Sequence, residues 1–279
     1  AWRECRNIDR REIGAIYVGS QSETYEHQIM YGSIVADWLG LLPKGSVRVE
    51  GCAAAGALAL RLGVMDVLSG LNDVVLVCGL EKMSLRTTSQ VTDALMAASD
   101  LALEQYNGLS FPSIYAMMAT AHMAKYGSRE EDFADVAVKN HKNAFHNPKA
   151  HLQKLISRDE VLRSKVVAWP LKLYDSSPIS DGAAVAIITR PELAKKYSAS
   201  PTYVIGMGHK GDTIGLYERD DVCWPSAVSE ACREAYSMAG IEADDVSLAE
   251  VHDAFTINEI LCCEAAGFAR RGEGHMLLR

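Results

Sequence analysis

The sequence lacks the cysteine patterns that mark several classes of protein. None of its 7 cysteines forms a C-x-x-C pair, so neither a structural zinc site nor a thioredoxin-type centre is predicted. An odd number of cysteines in a long chain also argues against a disulfide framework. Most of the cysteines are therefore expected to be buried apolar residues, and no metal site is predicted.

Positive charge and long apolar runs are also scarce. The chain has 28 Lys and Arg residues against 36 Asp and Glu residues, a net charge of -8. Binding to a phosphate backbone needs a basic surface, so nucleic acid is not an expected partner. No apolar run approaches the roughly eighteen residues of a membrane span, and the charged opening AWRECRNIDRRE is unlike a secretory signal. A cytoplasmic protein without membrane contact is predicted.

Short apolar runs alternate with helical patterns along the chain, a rhythm typical of an α/β fold. Between residues 85 and 169 the pattern is helical and more polar, which indicates an insertion without strands. The helix at 53–68 is apolar on nearly every face and is expected to be central and buried. The predicted strands are 13–19, 47–49, 73–79, 183–189, 202–207 and 246–251. The main predicted helices are 29–41, 53–68, 111–127, 226–239 and 256–266.

Cys52 is the first candidate for chemistry. It follows Gly51 and begins the helix of small residues at 53–68. A helix N-terminus favours a thiolate through its dipole and its unpaired N–H groups, which can also hold a developing oxyanion. A nucleophile is therefore one interpretation, and a buried structural cysteine in a tightly packed helix is the other.

His252 is the second candidate, at the junction of a predicted strand and a predicted helix in VHDAFTINEI. Strand ends in open α/β sheets are places where sites form. The alternative is a structural histidine that hydrogen-bonds Asp253 or nearby backbone, and spacing alone favours that alternative.

A local excess of positive charge stands out in an otherwise acidic chain. Between residues 139 and 172 only Asp159 and Glu160 are acidic. This excess suits a phosphorylated ligand, although a solvated helical face is the more common reason for such an excess. The basic residues are Lys139, Lys142, Lys149, Lys154, Arg158, Arg163, Lys165 and Lys172.

Two further patterns have weaker support. Residues 206–211 match G-x-G-x-x-G, but no convincing helix start follows them, as a dinucleotide fingerprint requires. His141, His146 and His151 recur every five residues, which scatters them around a helix rather than around a metal ion.

Several segments in one collinear order resemble the thiolase superfamily. VEGCAAAGALAL is similar to the segment of the nucleophilic cysteine, and VHDAFTINEI is similar to the H-D-A-F segment of sterol-carrier-protein thiolases and of the archaeal thiolase branch. VCGLEKMS, VKNHKNAFHNPKAH, SSPISDGAA and GFARRGEG resemble the same branch. The resemblance covers nearly the whole chain.

The resemblance implies an α/β thiolase-like fold. Two similar halves, each with a mixed sheet, would stack in α-β-α-β-α layers, with a helical loop domain inserted in the first half. Residues 1–84 and 174–190 would form the N-terminal half, 85–173 the inserted loop domain on the coenzyme A side, and 191–279 an incomplete C-terminal half.

The resemblance also implies the chemistry. Cys52 would take an acetyl group from a coenzyme A thioester, the substrate, and His252 would polarise the thioester oxygen next to the developing carbanion. No permanently bound cofactor is implied. A homodimer or tetramer is implied, and in the archaeal branch partners are hydroxymethylglutaryl-CoA synthase and a zinc-ribbon/OB-fold protein of the mevalonate pathway.

The sequence departs from the family at two motifs. Neither the G-H-P histidine that activates the cysteine in thiolases nor the later cysteine of a Gly-rich loop occurs here, and His275 does not lie in a G-H-P motif. The chain is therefore expected to be a fragment or a member without its C-terminal half-site. An acetyl-CoA C-acetyltransferase is predicted. The alternatives are a thiolase for longer or sterol-derived 3-ketoacyl-CoA, and a catalytically incomplete scaffold or CoA-binding subunit.

Overall fold

The computed structural model describes Cys5 and residues 7–277. Its α-helices are α1 (Tyr31–Trp38), α2 (Ala55–Ser69), α3 (Thr88–Met96), α4 (Phe111–Tyr126), α5 (Glu130–Phe145), α6 (Arg158–Arg163), α7 (Pro191–Tyr197), α8 (Ser226–Ala239) and α9 (Thr256–Ala265). Its strands are β1 (Ala15–Gly19), β2 (Gly45–Val49), β3 (Val74–Lys82), β4 (Val166–Ala168), β5 (Leu171–Lys172) and β6 (Asp181–Thr189). Short helical turns of 3-10 or π type lie at Arg10–Glu12, Cys52–Ala54, Leu101–Gln105, Leu173–Asp175, Leu216–Glu218, Ala243–Asp245 and Gly274–Met276.

The chain divides into two compact units. The first consists of Ala1–Ala94 and Ile179–Val204, and the second of Leu95–Pro178 and Ile205–Arg279. These units reflect which residues lie close together in space. The division into two thiolase halves with an insertion, which the family resemblance implies, stays a prediction.

A mixed sheet with strand order β2-β1-β3-β6 forms the centre of the first unit. β1 pairs in parallel with both β2 and β3, and β6 runs antiparallel to β3. One apolar cluster joins β1 and β3 to α1 and α7, and a second joins β2 and β3 to α2. Helices therefore cover both faces of the parallel strands, which explains their continuous apolar sequence. The predicted α/β class is confirmed.

A carboxylate fixes the start of β6 against the end of β3. Asp181 accepts hydrogen bonds from the backbone N–H of Ser84 at 2.9 Å and from its hydroxyl at 2.6 Å. It also pairs with Lys82 at 2.8 Å. The hydrogen bond from Lys82 has the largest effect on the Asp181 carboxyl, and those from Ser84 come next. Together they hold the pKa of this carboxyl well below its usual range. This cluster lies where Lys82 and Asp181 meet in the strand register.

Helix α2 differs from its prediction. Ala59, Gly63 and Val67 are buried on one face, but Leu68 on another is 74% exposed. The expectation of a helix buried all round is therefore wrong for the described residues, because the sheet covers only one of its faces. Contrary to the expectation that no apolar run approaches the length of a membrane span, Cys52–Ser69 is long and apolar enough to cross a membrane by length and composition alone. The face that carries Ala59, Gly63 and Val67 packs against the sheet, as in a core helix.

The core of the second unit is mainly helical. Buried residues of α4, α5 and α9 form one cluster with Leu171 of β5. Three aromatic rings pack together there: Tyr115 and Phe255 have centroids 4.6 Å apart, and Phe111 lies 5.2 Å from Tyr115. Such tilted and T-shaped aromatic pairs add to the free energy of burial.

A buried polar cluster joins α4 to α9 inside this core. His122 Nε2 lies 3.0 Å from Glu264 Oε1, and both side chains are 0% exposed. His122 Nδ1 lies 2.9 Å from the hydroxyl of Ser128. Glu264 also accepts hydrogen bonds at 2.8 Å from the backbone N–H groups of Gly272 and Gly274. One carboxylate thus holds the segment that follows α9 against α4.

Two predicted strands of the second region are not formed. Residues 202–207 and 246–251 have no ladder partner among the described residues. Ile205 is 61% exposed and Leu248 is 78% exposed. Apolar patterning supplies side chains for a sheet, but a strand also needs a neighbouring backbone.

The insertion was predicted to contain no strand, yet β4 lies within it and pairs with β5 in a short antiparallel hairpin.

Replacing Glu264 is expected to destabilise the protein. Burial raises the pKa of this carboxyl, but hydrogen bonds from His122, Gly272 and Gly274 outweigh burial and lower it below the ordinary 4.5. Its contribution to the free energy of unfolding should therefore be complete above about pH 4.5 and fall as the pH drops below that value. Glu264→Ala should lower the unfolding free energy by about 3 kcal/mol at neutral pH, measured by urea denaturation.

The matched control is Glu273→Ala, because Glu273 lies in the same segment and is exposed. A loss in Glu264→Ala no larger than in this control would show that the buried cluster does not stabilise the fold.

Candidate active site

The carboxyl ends of the parallel strands form one edge of the first unit's sheet. Gly19 of β1 is paired with Val49 of β2 and with Gly79 of β3. The residues that follow each strand therefore meet at this edge, where sites form in open α/β sheets. Cys52 lies three residues after Val49 and joins β2 to α2.

Cys52 has an unusual backbone conformation. Its φ is 50°, in the left-handed region, although it is not glycine. It begins the short turn Cys52–Ala54 that leads into α2, and its N–H donates to Glu50 Oε1 at 2.6 Å. Non-glycine residues held in this region store strain and are concentrated at functional sites. Strand, strained residue and helix follow one another here as they do at nucleophiles on sharp strand-to-helix turns.

Close packing brings the first turn of α2 against the end of β1. A side-chain carbon on Gly19 would lie 2.4 Å from the carbonyl oxygen of Ala55, so only glycine fits at this position. Gly56 and Gly79 also approach each other closely. The small residues around Cys52 therefore let the helix start lie directly over the sheet edge.

The electrostatic surroundings of the Cys52 thiol oppose ionisation. Burial, the largest effect, raises its pKa; a backbone hydrogen bond from Ala53 lowers it; and the carboxylates of Glu50 and Glu81 raise it again. The net direction is upward. The expected helix N-terminus is present, but the expectation that it leaves the thiolate favoured is wrong, because burial and two acidic neighbours outweigh its donors.

Glu81 is a residue that sequence reasoning missed. It lies near the end of β3 and accepts hydrogen bonds from the backbone N–H of Gln21 at 2.7 Å and from the hydroxyl of Ser20 at 3.3 Å. Burial raises the pKa of this carboxyl, and the neighbouring Glu26 adds to the effect. The available signal was an acidic residue directly after a buried strand, at the same sheet edge as Cys52.

His252 lies in the second unit, in an irregular segment before α9. Its side chain is exposed, and its backbone carbonyl accepts a hydrogen bond from Asn258 Nδ2 at 2.7 Å. Two residues further on, the carbonyl of Ala254 accepts from the N–H of Ser177 at 3.0 Å. The imidazole of His252 is therefore exposed to solvent, while hydrogen bonds from Asn258 and Ser177 hold the backbone that carries it.

A polar network borders the His252 segment. Asn140 of α5 donates to Asp253 Oδ2 at 2.6 Å and to Glu259 Oε2 at 2.9 Å. Lys139 pairs with Glu259 at 2.9 Å. Burial and the charge of Glu259 raise the pKa of Asp253. These four residues line a cavity of about 570 Å³, and Cys263 lines it as well.

The basic stretch at 139–172 is less free than its composition indicated. Arg158 pairs with Asp135 at 2.7 Å, and Lys172 pairs with Glu130. Lys139, Lys154 and Arg163 also have carboxylate partners. Within the part of the chain that the structure describes, the exposed lysines without an ion pair in this stretch are Lys142, Lys149 and Lys165.

The two weaker patterns have structural explanations. A side-chain carbon on Gly208 would lie 1.8 Å from the carbonyl oxygen of Ala231, so the glycine-rich segment packs closely on α8. His141 Nδ1 lies 2.8 Å from the carbonyl oxygen of Lys154. Across Cys5 and residues 7–277, no group of His, Cys, Asp and Glu side chains is arranged to hold a metal ion.

Comparison with known proteins identifies the family. Residues 4–192 match the model of the thiolase N-terminal domain, and residues 208–279 match that of the thiolase C-terminal domain-like family. Acetyl-CoA acetyltransferase from Methanothermobacter thermautotrophicus is 42% identical over 272 residues, which cover 97% of this chain and 70% of that protein. Sterol carrier protein 2 from Oryctolagus cuniculus is 30% identical over 284 residues, 97% of this chain and 50% of its own length.

A solved structure gives the same answer for the fold. The Ltp2-ChsH2(DUF35) aldolase has a TM-score of 0.80 and 25% sequence identity, over 97% of this chain and 70% of that one. The predicted resemblance is confirmed by both kinds of comparison. The sheet edge presents a strained cysteine in the turn before a helix, and family models match both parts of the chain. The chain therefore belongs to the thiolase family and is an enzyme of the acyltransferase class.

Proposed function

We propose that this protein is an acetyl-CoA C-acetyltransferase that forms or cleaves acetoacetyl-CoA through an acetyl group on Cys52. The observation that supports this most is the position of Cys52, strained, at the start of α2 and at the carboxyl edge of the sheet. The similar protein from Methanothermobacter thermautotrophicus bears the name of this activity.

Cleavage would proceed in two acyl transfers. The Cys52 sulfur attacks the 3-keto carbon of acetoacetyl-CoA, the bond between C2 and C3 breaks, and the acetyl group stays on sulfur. The electron pair of the broken bond forms the enolate of acetyl-CoA, which takes a proton and leaves. The thiol of a second coenzyme A then attacks the acetyl-cysteine carbonyl, so that acetyl-CoA leaves and the Cys52 sulfur is released.

The thiol and the imidazole would have different tasks. Because the pKa of Cys52 is raised, the thiol is protonated at neutral pH, and a base must take its proton before or during attack. His252 would donate to the thioester oxygen on which the enolate charge develops. Its exposed ring before the start of α9 suits contact with a substrate from solvent.

The exposed lysines of the inserted segment would attract the phosphates of coenzyme A. Lys142, Lys149 and Lys165 are exposed, and the whole chain is acidic, so their field would be local. The coenzyme A thioester is a substrate in this proposal, and no permanently bound cofactor is required. A homodimer or tetramer in the cytoplasm is part of the same proposal.

A partner protein is also proposed. The similar solved structure is named an aldolase of Ltp2 with ChsH2(DUF35), which supports a partner for the present chain. The proposed partners are hydroxymethylglutaryl-CoA synthase and a zinc-ribbon/OB-fold protein of the mevalonate pathway.

Similarity to sterol carrier protein 2 supports a second candidate function, thiolysis of longer or sterol-derived 3-ketoacyl-CoA. The chain-length preference in thiolysis separates this function from cleavage of acetoacetyl-CoA.

Acetylation should occur at one cysteine. Incubation with acetyl-CoA should add one acetyl group to the wild-type protein and none to Cys52→Ala, measured by intact-protein mass spectrometry. Cys232→Ala is the control, because Cys232 is also a half-buried free cysteine and should not affect the adduct. The absence of any adduct from the wild type would support a scaffold or CoA-binding subunit instead.

Removing a negative charge beside Cys52 should make its thiol more acidic. Glu81→Gln keeps the size and one carbonyl acceptor but removes a charge that raises the pKa of Cys52. Alkylation by iodoacetamide at neutral pH should therefore be about two- to fivefold faster, with its inflection at lower pH.

Glu192→Gln, on the exposed face of α7, removes a charge in the same unit and serves as the control. Equal alkylation rates in the Glu81 variant and in this control would mean that Glu81 does not affect the thiol.

His252 should be needed for the carbon–carbon step and not for simple acylation. His252→Ala should still take an acetyl group from acetyl-CoA onto Cys52, whereas cleavage of acetoacetyl-CoA should slow by about 100-fold or more, because one stabilising donor is lost. Cleavage is followed by the loss of acetoacetyl-CoA absorbance. Unchanged cleavage in this variant would remove His252 from the mechanism.

A further inference from the structure

We propose that Asn140 is a positioning residue that fixes the backbone from which His252 projects. This inference rests on the role of His252 in the proposed function and extends it to a side chain of α5, more than a hundred residues away in sequence. Asn140 touches neither a substrate nor a reacting atom in this proposal. It acts through Asp253, the residue next to His252.

The amide of Asn140 joins two carboxylates that would otherwise repel each other. Its nitrogen donates one hydrogen to Asp253 at 2.6 Å and the other to Glu259 at 2.9 Å. Its oxygen accepts a hydrogen bond from Lys139, whose ammonium group also pairs with Glu259 at 2.9 Å. Every polar atom of the amide therefore has a partner.

An amide is well suited to this position. It provides two donors without a charge, so it can satisfy two acidic acceptors at once. Glu259 is 9% exposed at its side chain, and the pKa of Asp253 is raised by burial and by Glu259. Loss of the amide would leave two neighbouring and partly buried carboxylates with only Lys139 between them, which is costly.

The contact with Asp253 completes the support of a short irregular segment. Asn258 holds the carbonyl of His252, Asn140 holds the carboxylate of Asp253, and Ser177 donates its N–H to the carbonyl of Ala254. Three successive residues are thus held by three separate parts of the second unit. Within this set, Asn140 supplies the attachment to α5.

Fixing this backbone matters because, within Cys5 and residues 7–277, no hydrogen bond to the exposed His252 imidazole sets its position, which therefore depends on the backbone that carries it. A misplacement of about 1 Å at a catalytic group lowers a rate by up to about 100-fold. A loosened segment should therefore lower kcat for cleavage of acetoacetyl-CoA by about 10- to 100-fold, with a smaller change in KM. Acetylation of Cys52 by acetyl-CoA does not use His252 and should be unchanged.

Hydrogen exchange tests the positioning directly and does not depend on activity. In Asn140→Ala, the backbone amides of residues 252–256 should exchange at least about tenfold faster than in the wild type, measured by mass spectrometry of peptides. Asn143→Ala is the matched control, because Asn143 is an exposed asparagine one turn further along α5. Exchange at 252–256 that matches the wild type in Asn140→Ala would overturn the proposal.

The isosteric variant Asn140→Asp provides a test by pH. At high pH it places a third carboxylate beside Asp253 and Glu259, and the segment should be repelled. At low pH a protonated Asp donates one hydrogen bond and restores part of the attachment. The ratio of its kcat to that of the wild type should therefore rise as the pH falls, and more steeply than the ratio for Asn140→Ala, in which only Asp253 and Glu259 repel each other. Equal pH dependence of the two ratios would contradict the assigned role.

The groups that titrate around this position are known from the structure. They come from α5, from the loop and short turn that precede β6, from the segment before α9 and from α9 itself. They are Lys139, His141, His151, Tyr174, Asp175, Glu250, His252, Asp253, Glu259 and Cys263. Asn140→Ala removes the same amide without adding a carboxyl, so the comparison of the two variants isolates the added group.

The two proposals fail in different ways. If the wild type takes no acetyl group on Cys52 and cleaves no acetoacetyl-CoA, the proposed function is wrong, and the exchange rates still decide whether Asn140 holds the segment. If the wild type is active and Asn140→Ala has unchanged kcat with faster exchange, Asn140 is structural only and the inference is wrong.

Discussion

The packing of α2 against the end of β1 is the contact on which the proposed chemistry of the first unit depends. Gly19 has no side chain, so the carbonyl oxygen of Ala55 can lie where a side-chain carbon would otherwise be, at 2.4 Å. The chain must therefore turn sharply between β2 and α2, and Cys52 takes the left-handed conformation in that turn. The parallel register of β1 with β2 and β3 brings Ser20, Glu50 and Glu81 to the same edge. The strained position of Cys52 follows from the packing of small residues rather than from any single hydrogen bond.

The electrostatics of this edge keep the thiol in its neutral form. Ala53, in the turn before α2, offers a backbone donor to the sulfur, but burial and the two carboxylates prevail and raise the pKa of Cys52. A neutral thiol resists adventitious alkylation and oxidation, which act on the thiolate. It also means that the helix terminus alone does not activate Cys52, so transfer of an acyl group requires a base. The second unit has a different arrangement, in which the Lys139 ammonium group pairs with Glu259 and the uncharged amide of Asn140 donates to Asp253, while the imidazole of His252 remains exposed.

Local patterns predicted the parts of the molecule that depend on local sequence. The helix of small residues after Cys52, the strand pattern around Val75 and the strand entered at Asp181 are each visible within one short segment, and the structure contains all three. The choice of Cys52 came from the same kind of signal, a cysteine between a strand and a helix. The identification of the family used several such segments together and is confirmed by the comparisons.

Features that depend on distant partners were not predictable in this way. Asn140 meets Asp253 across 113 positions of sequence, and no periodicity marks such a pair. Glu81 was visible only as an acidic residue after a buried strand, and its effect on Cys52 depends on the register of β1 with both β2 and β3. The strands predicted at 202–207 and 246–251 failed because alternation of apolar residues does not reveal whether a second backbone is available. The exposed face of α2 was not predicted for the same reason, because the composition of a helix does not show which of its faces other elements cover.

Peptide mapping after reaction with acetyl-CoA would decide whether Cys52 holds the transferred acyl group. The protein is quenched in acid, digested with pepsin and treated with hydroxylamine, which cleaves thioesters. If Cys52 holds it, one acetyl group should appear, on the peptide that contains Cys52, and hydroxylamine should remove it. An acetyl group that resists hydroxylamine, or one found on a lysine or on another cysteine, would contradict this role of Cys52.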